Sequence, residues 1–91
     1  MKKEDLYEMG FKDEITNKPN GILNYHLIKE ESNEVFIQIC IKSTDIYPAL
    51  VVNQYDWNEM IGNNTYLPMI NVTDVSSLKT EIETLKRLFV I

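Results

Sequence analysis

Residues 34–42, EVFIQICIK, alternate with a period of two, which is the pattern of a β-strand with one buried face. One side carries four β-branched residues, a type that packs well on a pleated surface: Val35, Ile37, Ile39 and Ile41. The other side carries Phe36, Gln38, Cys40 and Lys42. We predict that this strand is the centre of the fold, with its four β-branched side chains in the core.

Two neighbouring segments predict further strands of an antiparallel sheet. Residues 22–30, ILNYHLIKE, separate into two faces, with Leu23, Tyr25 and Leu27 on one and Asn24 and His26 on the other. The ESN segment that follows predicts a short hairpin loop. Residues 47–55, YPALVVNQY, predict a third strand that begins at Pro48, because proline is tolerated at the first residue of a strand.

Helices are predicted at both ends of the chain. In residues 74–89, DVSSLKTEIETLKRLF, Asp74 is a suitable N-cap and Ser77 stands at the capping-box position. Apolar residues follow at helical spacing, at Val75, Leu78, Ile82, Leu85 and Phe89. Residues 2–11, KKEDLYEMGF, predict a short helix that Gly10 ends in a left-handed conformation. Between that helix and the first strand, residues 12–21 predict a loop or a ragged edge strand.

These elements predict one α+β domain over residues 1–91. We expect a single-layer antiparallel sheet of three to five strands, with the short N-terminal helix and the longer C-terminal helix packed on one face. Hydrophobic residues make up 44% of the chain and charged residues 25%, which is the composition of a globular protein rather than a disordered one.

The charge balance argues against direct nucleic-acid binding. Fourteen acidic residues against nine basic ones give a formal net charge of −5, and Arg87 is the single arginine. Phosphate binding requires clustered basic residues. Cys40, the single cysteine, cannot form an internal disulfide and so indicates a reducing compartment. The chain shows no signal-peptide pattern and no apolar run of about 18 residues, so we expect a cytoplasmic protein without a membrane partner.

Residues 53–66, NQYDWNEMIGNNTY, allow two interpretations. In the first, Asp56 caps a single helical turn that ends at Gly62, and Trp57, Met60 and Ile61 press together onto the sheet. In the second, the segment is a recognition surface, because aromatic residues with a polar group are enriched at protein interfaces. Its candidate partner-binding residues are Tyr55, Trp57, Asn58 and Tyr66. Burial of Trp57 is the narrowly favoured expectation, since tryptophans are highly buried on average.

Residues suited to catalysis are scarce. His26 and Cys40 fall on adjacent predicted strands and point away from the predicted core, so a nucleophile pair is conceivable. However, no orienting acid or oxyanion loop is recognisable near them, and we expect both residues to be incidental. The sequence offers no His/Cys spacing for a metal and no glycine-rich phosphate loop, which predicts a protein without a cofactor and without enzyme activity.

Both ends of the chain resemble a group of small uncharacterised bacterial proteins, many of them encoded in phage-derived regions. KKEDLYEMGF is similar to their L-x-x-L-G-F opening, with Met9 in place of the second leucine. LPMINVTDVSSLKTEIETL is similar to their closing segment, in which a short proline-containing strand precedes a capped helix. The resemblance implies a helix–sheet–helix architecture and an intracellular, phage-linked context. It implies no site residues, because such proteins have no known catalytic residues.

The sequence therefore favours a non-catalytic protein-binding or regulatory module whose partner is a protein. A homo-oligomer is compatible with this function. The alternative hypothesis is an acidic inhibitor that mimics nucleic acid on a host or defence protein, although the acidic residues stand in small scattered groups rather than in one row. A small enzyme that uses His26 and Cys40 is the third and weakest hypothesis.

Overall fold

A computed structural model describes residues 1–42 and 47–89 of the chain. In chain order its helices and strands are α1 (Lys3–Met9), β1 (Lys12–Asp13), β2 (Ile22–Lys29), β3 (Asn33–Cys40), β4 (Ala49–Asp56), β5 (Ile61–Pro68) and α2 (Val75–Leu88). The strands form one antiparallel sheet in the order β1-β2-β3-β4-β5. The predicted α+β architecture, with a short N-terminal helix and a longer C-terminal one, is confirmed.

The alternation of β3 places it at the centre of the sheet, as predicted. Val35, Ile37 and Ile39 are buried and face the helices. Ile41, the fourth residue of the predicted row, lies beyond the end of the strand and is 38% exposed, so that part of the prediction is wrong. The backbone N–H of Ile41 still donates to the carbonyl oxygen of Gly21. Its side chain lies outside the core, opposite Gly21 and one residue beyond the last strand pair, Ile22 with Cys40.

The β2–β3 hairpin closes on a two-residue turn. Glu30 and Asn33 exchange two backbone hydrogen bonds across it, with N···O distances of 2.9 and 3.3 Å. Farther along β2 the register shifts between His26 and Ile28, which is the mark of a β-bulge. The bulge allows Leu27 and Ile28, although consecutive, both to pack against the core.

Helix α1 ends at the residue that the sequence predicts. Gly10 has a φ of 107°, and its N–H donates to the carbonyl oxygen of Tyr7 at 3.1 Å. The N–H of Phe11 donates to the carbonyl oxygen of Leu6 at 3.0 Å, and the two bonds together form a Schellman motif. Phe11 is buried beside Leu6 in the same core, so the end of the helix is also fixed by apolar packing.

Helix α2 begins with the predicted capping box. The carboxylate of Asp74 accepts from the N–H of Ser77 at 2.7 Å, and the hydroxyl oxygen of Ser77 accepts from the N–H of Asp74 at 3.2 Å. The hydrogen bond from the Ser77 backbone holds the pKa of the Asp74 carboxyl below its ordinary value. The apolar stripe of α2 faces the sheet, with Leu78, Ile82 and Leu85 buried and Phe89 packed against the same core.

The segment after β4 differs from the favoured prediction. Instead of a helical turn ending at Gly62, the chain makes a four-residue turn over residues 57–60 and returns as strand β5. Met60, with a φ of 55°, takes the left-handed conformation that closes the turn, while Gly62 lies within β5 opposite Tyr55. The polar sequence of β5 does not alternate, and all eight of its residues are exposed. Its strand structure comes from backbone pairing with β4 rather than from a buried face.

Candidate functional site

The turn between β4 and β5 is held by one carboxylate. Asp56 Oδ1 accepts from the backbone N–H groups of Asn58 and Glu59, at 2.9 and 3.3 Å. The capping role predicted for Asp56 is therefore present, although it organises a hairpin turn rather than a helix. A second contact closes the base of the turn, where the Tyr55 hydroxyl donates to Met60 Sδ at 3.8 Å.

Trp57 lies at the end of this hairpin and projects into solvent. It is 58% exposed, and the expectation that it is buried is wrong. Met60 and Ile61, predicted to press onto the sheet with it, are exposed as well. The cause is the hairpin. A helical turn would have placed these side chains on one face of the sheet, whereas the hairpin turn places them beyond the ends of β4 and β5.

The ring of Tyr55 meets the indole of Trp57 edge-on. The ring centroids are 4.5 Å apart and the ring planes form an angle of 69°, a favourable geometry for an aromatic pair. A depression of about 620 Å³ lies beside the pair, bounded in part by Ser32, Gln54 and Asn58. Tyr55, Trp57 and Asn58 are called the aromatic tip below.

The face of the sheet opposite the helices, called the open face below, carries a row of residues that are directly paired across four strands. His26 pairs with Phe36, Phe36 with Val51, and Val51 with Tyr66. The rings of His26 and Phe36 are 5.1 Å apart. Val51 is buried between its neighbours although, within residues 1–42 and 47–89, both helices pack on the other face. The row therefore forms an apolar centre on an otherwise polar surface.

Polar side chains surround that row. A groove of about 370 Å³ on the open face is lined by Asn24, Gln38, Asn53, Asn64 and Tyr66, among others. Within it the Gln38 amide donates to Asn24 Oδ1 at 3.3 Å. Amide groups both donate and accept hydrogen bonds, so this surface can contact the peptide groups of another chain.

His26 and Cys40 do not approach each other. His26 pairs with Phe36 and Cys40 with Ile22, four residue pairs apart in the β2–β3 ladder. At about 3.3 Å per residue this separation is roughly 13 Å, too far for a nucleophile–base hydrogen bond. His26 does have an acidic neighbour that the sequence did not suggest, since its Nε2 lies 3.3 Å from Glu34 Oε2.

The structure brings together three of the four predicted partner-binding residues. Tyr55, Trp57 and Asn58 form the aromatic tip, whereas Tyr66 lies on the open face about four residues farther along β5, roughly 13 Å away. Phe36 and Val51 also contribute to this face and were not predicted as site residues. The alternation of β3 assigns Phe36 to the open face, but only the pairing register shows that it meets Val51 and Tyr66.

Among residues 1–42 and 47–89, no group of three or more histidine, cysteine, aspartate and glutamate side chains could hold a metal ion. Within the same residues, no helix has the length and apolar character needed to cross a membrane. Comparison of the chain with protein-family models, with curated proteins and with solved structures found no match. The fold defines the protein as a small α+β domain with helices on one face of an antiparallel meander.

Proposed function

We propose that this chain is a non-catalytic protein-binding module and that the aromatic tip is its contact surface. The observation that carries the proposal is the exposure of Trp57, which leaves 58% of a large, mostly apolar residue in water. Tryptophan is highly buried on average, and buried tryptophans are enriched among the residues that dominate protein interfaces. A partner that covered the indole would remove this apolar surface from water.

The geometry of the tip favours a rigid contact. Tyr55 supports the indole from one side, and the Asp56 carboxylate fixes the backbone that carries it. An anchor that is already held in place loses little conformational entropy on binding, and so more of its burial contributes to affinity. Asn58 and Glu59 provide polar groups around the indole, the arrangement of an apolar centre with a polar rim.

A regulatory role in a phage or mobile element is the context that we propose for this binding. The alternative is an acidic inhibitor that mimics nucleic acid, and it predicts that binding depends on different side chains. Binding would then depend on carboxylates such as Glu30 and Glu31 at the β2–β3 hairpin and would weaken steeply with salt. Contact through the aromatic tip would depend on Trp57 and would change little with salt.

The experiment compares three immobilised proteins in a lysate of the organism that encodes the chain: wild type, Trp57→Ala and Tyr47→Ala. Tyr47 is a matched control because it is another exposed aromatic residue that stands before β4, whereas Trp57 follows the other end of that strand. We expect Trp57→Ala to fold normally and to lose a protein that wild type and Tyr47→Ala both retain. The loss in affinity should be about 30-fold or more, which corresponds to roughly 2 kcal/mol for an aromatic anchor.

Two results would contradict the proposal. Equal retention of every captured protein by Trp57→Ala and wild type would show that the tip is not the contact surface. A partner that is lost instead from a Glu30→Gln, Glu31→Gln variant, with strong salt dependence, would favour the acidic inhibitor.

A further inference from the structure

The two edges of the sheet are unequal. At one edge, β1 pairs over only two residues, Lys12 and Asp13, and such a short charged strand is a poor template for another chain. At the other edge, β5 is eight residues long and contains no charged residue, in a chain of which 25% is charged. Within residues 1–42 and 47–89, β5 pairs with β4 on one side only.

The outward hydrogen-bonding groups of β5 can be assigned from its pairing. The N–H of Met69 donates to the carbonyl oxygen of Pro48 at 2.7 Å, and in an antiparallel ladder bonded residues alternate along the strand. The odd-numbered residues of β5 therefore bond to β4. The even-numbered ones, Gly62, Asn64, Tyr66 and Pro68, point their backbone groups outward. Pro68 has no N–H, but because its backbone faces away from β4, no hydrogen bond with β4 is lost.

We propose that β5 is a homodimerisation edge, at which β5 of a second copy adds in an antiparallel orientation to give one ten-stranded sheet. A two-fold axis perpendicular to the sheet keeps each side chain on its own face, so a single residue must pair with itself. Asn64 is favoured as that residue because its backbone groups point outward and it lies near the middle of β5, so that most of the strand can pair. Backbone bonds then join Asn64 to Asn64 of the second copy, and Gly62 to Tyr66 in both directions.

This register matches side chains by type. On the helix side, Ile61 comes opposite Leu67 of the second copy, and each of these residues is 50% exposed in the single chain. Asn63 comes opposite Thr65, which pairs polar with polar. On the open face, Tyr66 comes opposite Gly62 of the second copy, so its ring lies over the one residue of β5 without a side chain. Centring on Thr65 instead would place Pro68 opposite Gly62 and lose the match between Ile61 and Leu67.

Self-association is favoured over the binding of an unrelated strand because both residues of each matched pair belong to β5 itself. Two copies of this uncharged edge are therefore complementary to each other. The chain carries a net charge of −5, and two copies repel each other overall. An edge without charge is where such copies approach with least local repulsion. The dimer also places two open faces side by side, so that the surface bearing Tyr66 becomes continuous across the axis.

The first test is sedimentation equilibrium of wild type and Asn64→Pro over a range of concentrations. Wild type should show a monomer–dimer equilibrium. Asn64→Pro removes an N–H that bonds to nothing within β4–β5 and should raise the dimer Kd about tenfold or more, because both copies lose a bond. An unchanged circular dichroism spectrum would verify that the variant folds. A wild type that stays monomeric, or a folded Asn64→Pro that still dimerises equally, would overturn the proposal.

The second test addresses the register. Asn64→Lys and Asn64→Asp each place like charges opposite one another at the axis and should weaken their own dimers about two- to fivefold at low salt. Mixing the two should restore association as a heterodimer. Asn64→Lys changes the net charge from −5 to −4, so reduced overall repulsion cannot explain its weaker dimer. If mixing restores nothing while Thr65→Lys and Thr65→Asp do so, the Asn64-centred register is wrong.

Discussion

Replacement of Ile37 by alanine tests whether β3 is the centre of the core. Ile37 is fully buried and lies between Tyr25 on β2 and Leu50 on β4. The substitution removes three carbon atoms, each worth about 0.8 kcal/mol of transfer free energy, or about 2.4 kcal/mol in all. A cavity in the middle of a sheet cannot collapse freely, which brings the expected loss of stability to about 3–4 kcal/mol, within the usual range for such a change. A domain of this size has roughly 5–14 kcal/mol in total.

The measurement is urea denaturation followed by far-UV circular dichroism, since exposed Trp57 is a poor reporter of folding. With an m value of about 1–2 kcal/mol per molar, the midpoint should fall by roughly 2 M. Ile41→Ala is the control, because it is the same substitution in the same alternating run at a residue that is 38% exposed. It should cost less than about 1 kcal/mol. Equal midpoint shifts for the two variants would refute the placement of the core. All samples need one protein concentration, because dimerisation would add stability.

Three further outcomes are expected. Gly10→Ala should destabilise by about 1–2 kcal/mol in thermal unfolding, because its φ is 107°. Gly62→Ala is the control: an added Cβ would lie 3.2 Å from a tyrosine ring at either glycine, but Gly62 has no positive φ, so its replacement should cost less. For Asp74, the lowered pKa means that its carboxylate stabilises the fold above its ordinary value of 3.8 and stops doing so as the pH falls through the lowered value. The difference in melting temperature between wild type and Asp74→Asn, which keeps an acceptor but does not titrate, should therefore change only in that acidic range. The fluorescence of Trp57 should be red-shifted and readily quenched by iodide, and a blue-shifted, protected emission would contradict its exposure.

Elements with a strong local signal were predictable from the sequence. The alternation of β3 and the helical spacing of α2 require one buried face each, so the pattern of side chains determines the type of element. One end of each helix was predictable for a related reason: Gly10 at the end of α1 and Asp74 at the start of α2 satisfy terminal backbone groups through bonds to residues a few positions away. These interactions are local and depend little on the rest of the molecule.

Strand β5 and the exposure of Trp57 were decided by tertiary structure. Residues 61–68 bury no face, so no periodicity marks them as a strand, and their conformation depends on the backbone groups that β4 presents. The same pairing turns residues 57–60 into a hairpin turn and carries Trp57 beyond the sheet, where local spacing alone favoured a buried helical turn. Register likewise separates His26 from Cys40 and aligns Phe36 with Val51 and Tyr66. Pairing between distant segments is not encoded in either segment alone. This is why the helices, the central strand and the candidate binding residues could be predicted from the sequence, whereas the exposure of Trp57 and the arrangement of those residues could not.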